Sequence, residues 1–309
     1  MVVCLGAMSL QAQTLREAFK DKFLIGAAIN VRQVKSQDPK VQNLIRNQFS
    51  ALVPENCMKP EEIHPKIDLY DWRDADALVN LAEKNGQVIT GHCLVWHSQV
   101  PYWFFKDDMS NEVTREELIK RMREHIHTVV GHFKGRIKGW DVVNEAIMEN
   151  GKMRNSNFYR IIGPEFIRLA FQFAHEADPD AELYYNDYGM DNPMKRQAVV
   201  ELIRDLKAHG CRIDGVGMQS HVAFDSNLDA YEASINAYAA EGVKVMITEL
   251  DIETKGNDSA RAQLFQDVFQ MAVDHADQIS SFTVWGTHDD ISWRKNETPL
   301  LFGSNYSPK

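Results

Sequence analysis

The chain has 309 residues, of which 34 are lysine or arginine and 44 are aspartate or glutamate, so its formal net charge at pH 7 is −10. This acidic balance argues against binding to nucleic-acid phosphates, which requires clustered lysine and arginine. Hydrophobic residues make up 44% of the chain and charged residues 25%, a composition typical of a folded globular protein. No apolar run approaches the roughly 20 residues that cross a bilayer, so no integral membrane segment is predicted.

Residues 1–13 differ in character from the rest of the chain. Residues 1–10 are apolar and resemble the hydrophobic part of a secretory signal, but they lack its basic start. One interpretation is a signal-peptide remnant, which predicts a secreted or periplasmic protein; the other is a disordered or strand-like extension. Residues 14–309 contain no linker or low-complexity tract and are predicted to form one domain. The four cysteines have no CxxC spacing, so we expect buried free thiols.

Short apolar runs alternate with amphipathic stretches throughout residues 14–309. The runs carry β-branched or aromatic residues without strict alternation, as strands buried on both faces do. They cover residues 23–30, 51–54, 88–96, 139–143, 182–186, 215–219, 243–249 and 281–285. Helical spacing predicts a short leading helix at residues 15–20, then helices at 39–48, 71–84, 115–130, 164–177, 194–208, 228–239 and 260–275. Eight strands with seven intervening helices predict a single-domain (β/α)8 TIM barrel, and the lack of a GxGxxG turn disfavours an open doubly wound sheet.

The stretch after the last predicted strand contains no amphipathic helix. Trp285 ends that strand, and the residues from there to Lys309 read as loop. We therefore expect no helix over the last and first strands. The seam between them should be left partly bare or be covered by residues 1–20.

Polar side chains stand at the C-terminal ends of the predicted strands, which in a barrel meet at the face that carries the active site. Among them, Glu145 ends strand four and Glu249 ends strand seven. Two opposed carboxylates suit glycosidic cleavage, in which one protonates the leaving oxygen and the other attacks the anomeric carbon or activates water. We expect Trp140 and Trp96 to give Glu145 a partly apolar setting that keeps it protonated. The other predicted location of Trp140 is the core of the protein. Asp251 is expected to orient His221, which in turn would hold Glu249 ionised.

The sequence resembles glycoside hydrolase family 10, the endo-1,4-β-xylanases, from about Leu15 to Lys309. The resemblance is carried by PENCMKP at 54–60, GHCLVWHSQVP at 91–101, WDVVNEA at 140–146, YYND at 184–187, GMQSH at 217–221, ITELD at 247–251, and the run from Trp285-Gly286 through Ser292-Trp293 to PLLF at 299–302. It implies a retaining mechanism with Glu145 as acid/base and Glu249 as nucleophile through a covalent glycosyl-enzyme. Retention predicts carboxyl groups about 5–5.5 Å apart. The implied substrates are xylan and xylo-oligosaccharides, with no cofactor and no metal.

The resemblance also implies sugar-binding roles for residues around the two glutamates. Asn144 would bind the sugar 2-hydroxyl or the nucleophile, and His221 belongs to the same site. The other implied contacts are Lys59, His92 and Gln219 with the sugar joined to Glu249, Glu55 and Asn56 with the next sugar, Trp96 as a floor, Trp285 and Trp293 as a wall, Gln99 as an outer contact, and Tyr188 as a stacking residue on the leaving-group side. Cys57 and Cys93 depart from the family, which commonly has alanine or threonine there.

Three alternatives compete with a xylanase. A metal hydrolase is suggested by His125, His127 and His132, but the first two should point to different faces of a helix, so a solvated helix face is preferred. A non-catalytic xylan-binding protein would be expected to lack one of the two glutamates. A retaining cellulase or mannanase stays open, because xylan specificity rests on the resemblance alone. The protein is expected to be a monomer.

Overall fold

The computed structural model describes residues 13–309, which form a closed barrel of eight parallel strands in chain order. The strands are β1 Leu24–Ile29, β2 Ala51–Pro54, β3 Val88–Trp96, β4 Gly139–Asn144, β5 Glu182–Tyr188, β6 Gly215–Ala223, β7 Lys244–Glu253 and β8 Ile279–Val284. The barrel closes where Leu24 of β1 pairs with Ser281 of β8. The predicted (β/α)8 architecture is therefore confirmed.

Eleven α-helices lie among the described residues, and eight of them were predicted. They are α1 Leu15–Ala18, α2 Val31–Val34, α3 Pro39–Gln48, α4 Pro60–Ile63, α5 Arg73–Lys84, α6 Arg115–His132, α7 Asn157–Ile162, α8 Phe166–Ala177, α9 Pro193–Ala208, α10 Leu228–Ala240 and α11 Asp258–Asp274. The three unpredicted helices, α2, α4 and α7, have only four to six residues. So short a segment cannot display a helical period.

Strands β6 and β7 run four residues farther than predicted because their pairing shifts register and then resumes. The ladder that joins Gln219 to Thr248 restarts where His221 pairs with Asp251. An irregularity of this kind inserts extra residues into one strand and redirects their side chains. The irregular stretch of β7 contains Glu249.

The seam between β8 and β1 has no α-helix in residues 285–309, as expected. Two 3₁₀ turns, Asp289–Ile291 and Lys295–Glu297, are the helical elements of this segment. Part of the predicted cover by the leading residues is also confirmed, because the ring of Phe19 stacks on Phe23 at 5.2 Å and on Phe269 of α11 at 5.1 Å.

The described cysteines agree with the expectation of buried free thiols. Cys57, Cys93 and Cys211 are buried and unpaired. Cys4 and residues 1–12 of the signal-like segment lie outside the described residues. From residue 13 to 309, no helix has the length and apolarity needed to cross a membrane, and no group of three or more metal-binding side chains comes together.

The interpretation of the α6 histidines as one solvated face is wrong for His125. Its side chain is 1% exposed, and its Nδ1 lies 3.0 Å from Nδ1 of His64 inside an aromatic cluster with Phe104 and Trp103. His125 occupies a position on the inner face of α6, where an apolar residue is usual. Its burial was not predicted because histidine was counted as a polar residue. Burial lowers the pKa of His64 to about 4 and that of His125 to about 3.

His127 and His132 do lie toward solvent, where His127 Nε2 approaches Glu176 at 3.0 Å and His132 Nε2 approaches Asp76 at 2.8 Å. His125 and His127 thus point to different sides of α6, as predicted.

Replacing His125 with glutamine should weaken the acid dependence of thermal stability. Both buried imidazoles have pKa values below the ordinary 6.5, so the unfolded chain binds more protons than the folded one when the pH falls from 6.5 toward 4. The wild-type Tm should therefore fall over that range, and the His125→Gln variant should lose part of the fall. Calorimetric Tm values across the range test this, with His127→Gln as the control on the same helix. Equal slopes in the two variants would contradict the expectation.

Candidate active site

All fourteen predicted catalytic and sugar-binding side chains line one cleft at the C-terminal ends of the strands. The cleft has a volume of about 500 Å³ and is lined by Glu55, Asn56, Lys59, His92, Trp96, Gln99, Asn144, Glu145, Tyr188, Gln219, His221, Glu249, Trp285 and Trp293. Asp251, predicted in a supporting role, is fully buried behind His221. The structure therefore brings together the residues that the sequence singled out, and their roles toward a sugar stay predictions.

The two glutamates have the same unusual backbone conformation. The φ angle is +58° at Glu145 and +56° at Glu249, in the left-handed region that residues with a Cβ rarely adopt. Such a conformation costs on the order of 1–3 kcal/mol and persists only where the surroundings hold it. Both residues therefore occupy positions that the barrel keeps at some cost to stability.

Glu249 lies at the bottom of the cleft with 6% of its surface exposed. Its Oε1 accepts a hydrogen bond from Asn186 Nδ2 at 3.0 Å, and its Oε2 lies 3.2 Å from His221 Nε2. Burial alone would raise the pKa of this carboxyl, but His221, His92 and the Asn186 amide outweigh burial and lower it. The site thus keeps Glu249 ionised, as a nucleophile must be.

His221 joins Glu249 to Asp251, as predicted from the sequence. Its Nδ1 lies 3.0 Å from Asp251 Oδ2. Burial disfavours the charged ring, yet the two carboxylates prevail and raise the pKa of His221 to about 10. The same Oδ2 of Asp251 also accepts a hydrogen bond from Trp293 Nε1 at 2.8 Å, and Oδ1 accepts one from Arg294 Nη1 at 2.9 Å. The imidazolium is therefore fixed between two anions.

The surroundings of Glu145 are more polar than expected. Its carboxylate accepts hydrogen bonds from Trp96 Nε1 at 2.9 Å and Gln219 Nε2 at 3.1 Å. Trp140 takes the core position that was its other predicted location and does not lie beside Glu145, because its side chain is 0% exposed and packs on Gly91, where a Cβ would lie 2.2 Å from the indole.

The side chain of Asn144 hydrogen-bonds to neighbouring site residues and not to Glu249. Its Oδ1 accepts from Gln219 Nε2 at 3.1 Å and from Asn186 Nδ2 at 3.0 Å. The predicted alternative that Asn144 binds the nucleophile is therefore wrong, and Asn186 does so instead. A glycine at position 217 makes room for Asn186, because a Cβ there would lie 2.3 Å from its Oδ1. A line of amides, Gln219, Asn144 and Asn186, thus connects the two carboxylates.

A second set of polar side chains, formed by Lys59, Asn56 and Gln99, also lines the cleft. Lys59 Nζ donates to Asn56 Oδ1 and Gln99 Oε1, both at 2.9 Å, and lies 5.0 Å from the centre of the Trp96 ring. Burial raises the pKa of the neighbouring Glu55. These donors and acceptors suit the hydroxyl groups of a sugar beside the flat face of an indole.

His92 is held by an acidic residue that sequence reasoning did not assign to the site. Its Nδ1 lies 2.8 Å from Asp141 Oδ2, and both side chains are buried. Burial raises the pKa of Asp141 in spite of this contact. The two residues pair in register on β3 and β4, which fixes the ring of His92 at the edge of the cleft.

Comparison with known proteins agrees with this geometry. A family model described as Glycosyl hydrolase family 10 matches residues 14–309. The chain is 47% identical to endo-1,4-beta-xylanase A of Xylanibacter ruminicola, over 99% of this chain and 91% of that protein. It is 40% identical to an exoglucanase of Acetivibrio thermocellus, over 96% of this chain but only 28% of that protein. The chain belongs to glycosyl hydrolase family 10.

A solved structure of the same family extends the likeness to three dimensions. It is an intracellular xylanase of Thermoanaerobacterium saccharolyticum in which a glutamate is replaced by alanine and xylotriose is bound. It covers 97% of each chain with 40% identity and a TM-score of 0.93. A second glutamate-to-alanine variant of that xylanase is complexed with xylotetraose.

Within this family 10 barrel, the supporting residues that sequence reasoning missed are mostly buried. Asn186 is 0% exposed and Thr248 donates to its Oδ1 at 2.7 Å, while Arg294 anchors Asp251 from the loop after β8. The signal for Asn186 was present, since it is one of the polar residues at a strand end. Its partner could not be known without the register of β5.

Replacing His221 with glutamine should move the acid limb of the kcat/KM profile to higher pH. We expect wild-type activity to follow a bell-shaped profile, with ionised Glu249 setting the acid limb. Removal of the imidazolium removes a charge that lowers the pKa of Glu249, so the limb should rise by about 1–3 pH units. Initial rates across pH on soluble xylan measure it, with His209→Gln at the exposed end of α9 as the control. An unmoved acid limb would rule out this role for His221.

Proposed function

We propose that this chain is an endo-acting, retaining β-1,4-xylanase in which Glu249 is the nucleophile and Glu145 the acid/base. The observation that carries the proposal is the unequal setting of two glutamates in one cleft. Glu249 is bound to a cationic His221, whereas Glu145 is bound to the neutral donors of Trp96 and Gln219. Only one carboxylate is thereby committed to the ionised state, which is the division of labour that glycoside hydrolysis requires.

The first chemical step joins the sugar to the protein. An oxygen of ionised Glu249 attacks the anomeric carbon while the glycosidic oxygen takes a proton from Glu145 and departs with the leaving chain. The product is a glycosyl ester of Glu249 and an ionised Glu145. Charge at Glu249 is lost in this step, so the His221 imidazolium stays balanced by Asp251 alone.

The second step returns the protein to its starting state. Glu145 removes a proton from water, the water oxygen attacks the anomeric carbon, and the bond to Glu249 breaks. Two inversions at the same carbon leave the configuration unchanged. The Asn186 amide, 3.0 Å from Glu249 Oε1 in the free protein, is placed to stabilise the carboxylate as it leaves.

The lining of the cleft supports a β-linked sugar chain as the substrate. Trp96, Trp285 and Trp293 supply aromatic surface, and Lys59 with its neighbours Asn56 and Gln99 supplies donors and acceptors for the hydroxyls of the sugar at Glu249 and of the next sugar. Tyr188 lines the Glu145 side and is placed for stacking with the leaving portion. The relatives named as xylanases and the xylo-oligosaccharide complexes of the structural neighbour favour xylose as the repeating unit.

A cellulase is the second candidate, because one 40% identical relative is named an exoglucanase. The two substrates differ by the C5 hydroxymethyl group of glucose. Parallel digests of glucuronoxylan and carboxymethyl-cellulose decide between them. A faster release of reducing ends from carboxymethyl-cellulose would overturn the xylanase assignment.

Secretion and a monomeric state are also part of the proposal. Export is supported by the apolar character of residues 1–10. Cell fractionation and light scattering test these two points separately from the activity.

Glu249→Gln should lose nearly all turnover of xylan while it still binds xylo-oligosaccharides. The amide has the shape of the carboxyl group but is a poor nucleophile, so kcat should fall by at least about 10⁴-fold. Calorimetric titration with xylotetraose measures binding. The control is Glu253→Gln, at the C-terminal end of β7. The anomeric configuration of the first wild-type product, followed by NMR, should be β. Either an α product or an active Glu249→Gln enzyme would refute the mechanism.

A further inference from the structure

The backbone just after Glu145 is bonded at every amide by groups from β5. Glu145 N donates to Asn186 O at 2.9 Å. Ala146 N and Ile147 N both donate to the hydroxyl of Tyr185 at 3.1 Å, and Ile147 N also approaches Asp187 Oδ2 at 3.3 Å. A side-chain hydroxyl that accepts two consecutive amides replaces the strand pairing that the left-handed turn at Glu145 interrupts.

The Tyr185 hydroxyl is itself fixed by a fully buried ion pair. It donates to Asp187 Oδ2, and Asp187 Oδ1 accepts from Lys195 Nζ at 2.7 Å. The side chains of Asp187 and Lys195 are both 0% exposed. Because Asp187 accepts from Tyr185, the tyrosine hydroxyl must present its lone pairs to Ala146 and Ile147. The orientation of the hydroxyl is thus determined, and so is the path of the backbone that it binds.

Arg154 holds the same segment from the opposite side. The loop after β4 folds back on itself, so that Arg154 N donates to Ala146 O at 2.7 Å and Arg154 Nε donates to Glu145 O at 2.8 Å. Its Nη2 donates to the hydroxyl of Tyr188 at 2.7 Å. One guanidinium therefore ties the carbonyl of Glu145 to the aromatic ring on the leaving-group side of the cleft.

We propose that Tyr185 and Arg154 are positioning residues for the acid/base carboxylate, the first through the amides of residues 146–147 and the second through the carbonyl of Glu145. Neither residue needs to touch the reacting atoms. Proton transfer requires a heavy-atom distance of about 2.6–3.2 Å between Glu145 and the glycosidic oxygen, and a shift of about 1 Å can cost about 100-fold in rate. The left-handed residue can relax if its backbone bonds are removed, which would carry the carboxyl away from that oxygen.

This inference rests on the proposed function. It predicts a dependence of the rate on the leaving group that a purely structural role of Tyr185 and Arg154 would not produce. Protonation by Glu145 matters for a poor leaving group and is dispensable for a strongly activated one. Damage to its position should therefore lower kcat/KM for phenyl β-xylobioside and spare kcat/KM for dinitrophenyl β-xylobioside. The ratio kcat/KM reports the first chemical step, so the later role of Glu145 as a base does not affect it.

The experiment compares Tyr185→Phe and Arg154→Met with the wild type on both aryl xylobiosides. We expect kcat/KM for the phenyl substrate to fall about 10- to 100-fold, and that for the dinitrophenyl substrate to stay within about threefold of the wild type. Tyr184→Phe is the matched control, because the adjacent buried hydroxyl donates to Glu182 Oε2 at 2.6 Å and lies away from the segment after Glu145. Its ratio of the two rates should equal that of the wild type.

The outcomes separate the possible failures. An unchanged ratio in folded Tyr185→Phe and Arg154→Met, whether both rates fall together or neither falls, overturns the positioning role, and so does an equal change of ratio in Tyr184→Phe. If circular dichroism shows that Tyr185→Phe does not fold, Arg154→Met decides alone, since Arg154 is partly exposed on a loop. A wild-type enzyme that cleaves neither xylobioside rejects the proposed function instead.

Discussion

The active-site cleft depends on one positive charge, that of His221, between Asp251 and Glu249. Transfer of a carboxylate out of water costs several kcal/mol, and a buried acid without a partner takes up a proton instead. Here two hydrogen bonds of 3.0 and 3.2 Å join the ring to both carboxylates. Because Asp251 is itself bound to Arg294 and Trp293, the loop after β8 contributes to the charge state of a residue on β7.

The contrast between the two glutamates follows from what each accepts. Glu249 accepts from an amide and a cation, and Glu145 accepts from an indole and an amide, which carry no net charge. A neutral donor can stay in contact with a carboxyl group in either protonation state by small rotations, whereas a cation favours the anion strongly. The group that must gain and lose a proton in each cycle is thus the one whose hydrogen-bond donors are neutral.

Much of the fold and site could be predicted, because a barrel turns sequence order into spatial order. Polar residues at the ends of successive strands must meet at one face, so both glutamates could be placed at one cleft without knowing any distance. The lining residues on loops, such as Lys59, Gln99 and Trp293, came instead from the resemblance to family 10. The hydrogen-bond partners could not be predicted, because Asn144 was expected to bind either the sugar 2-hydroxyl or Glu249, whereas Asn186 is the amide that binds Glu249. Which of two neighbouring amides reaches Glu249 depends on strand register and on the irregular pairing of β6 and β7. The burial of His125 was missed for a different reason. Helical spacing places His125 on the inner face of α6, but histidine is a polar residue and was therefore assigned to the solvated face.

Strand β5 carries neither glutamate, yet it supports both of them from its two faces. Alternate side chains on a strand point to opposite sides, so Asn186 faces the cleft and binds Glu249, while Tyr185 and Asp187 face the helices and bind the backbone after Glu145. The carbonyl of Asn186 also accepts from Glu145 N. Three consecutive residues of one strand thus set the position of one carboxylate relative to the other. A change in the pairing of β5 with β4 or β6 would displace one glutamate relative to the other, and this makes the register of β5 the structural constraint on their separation.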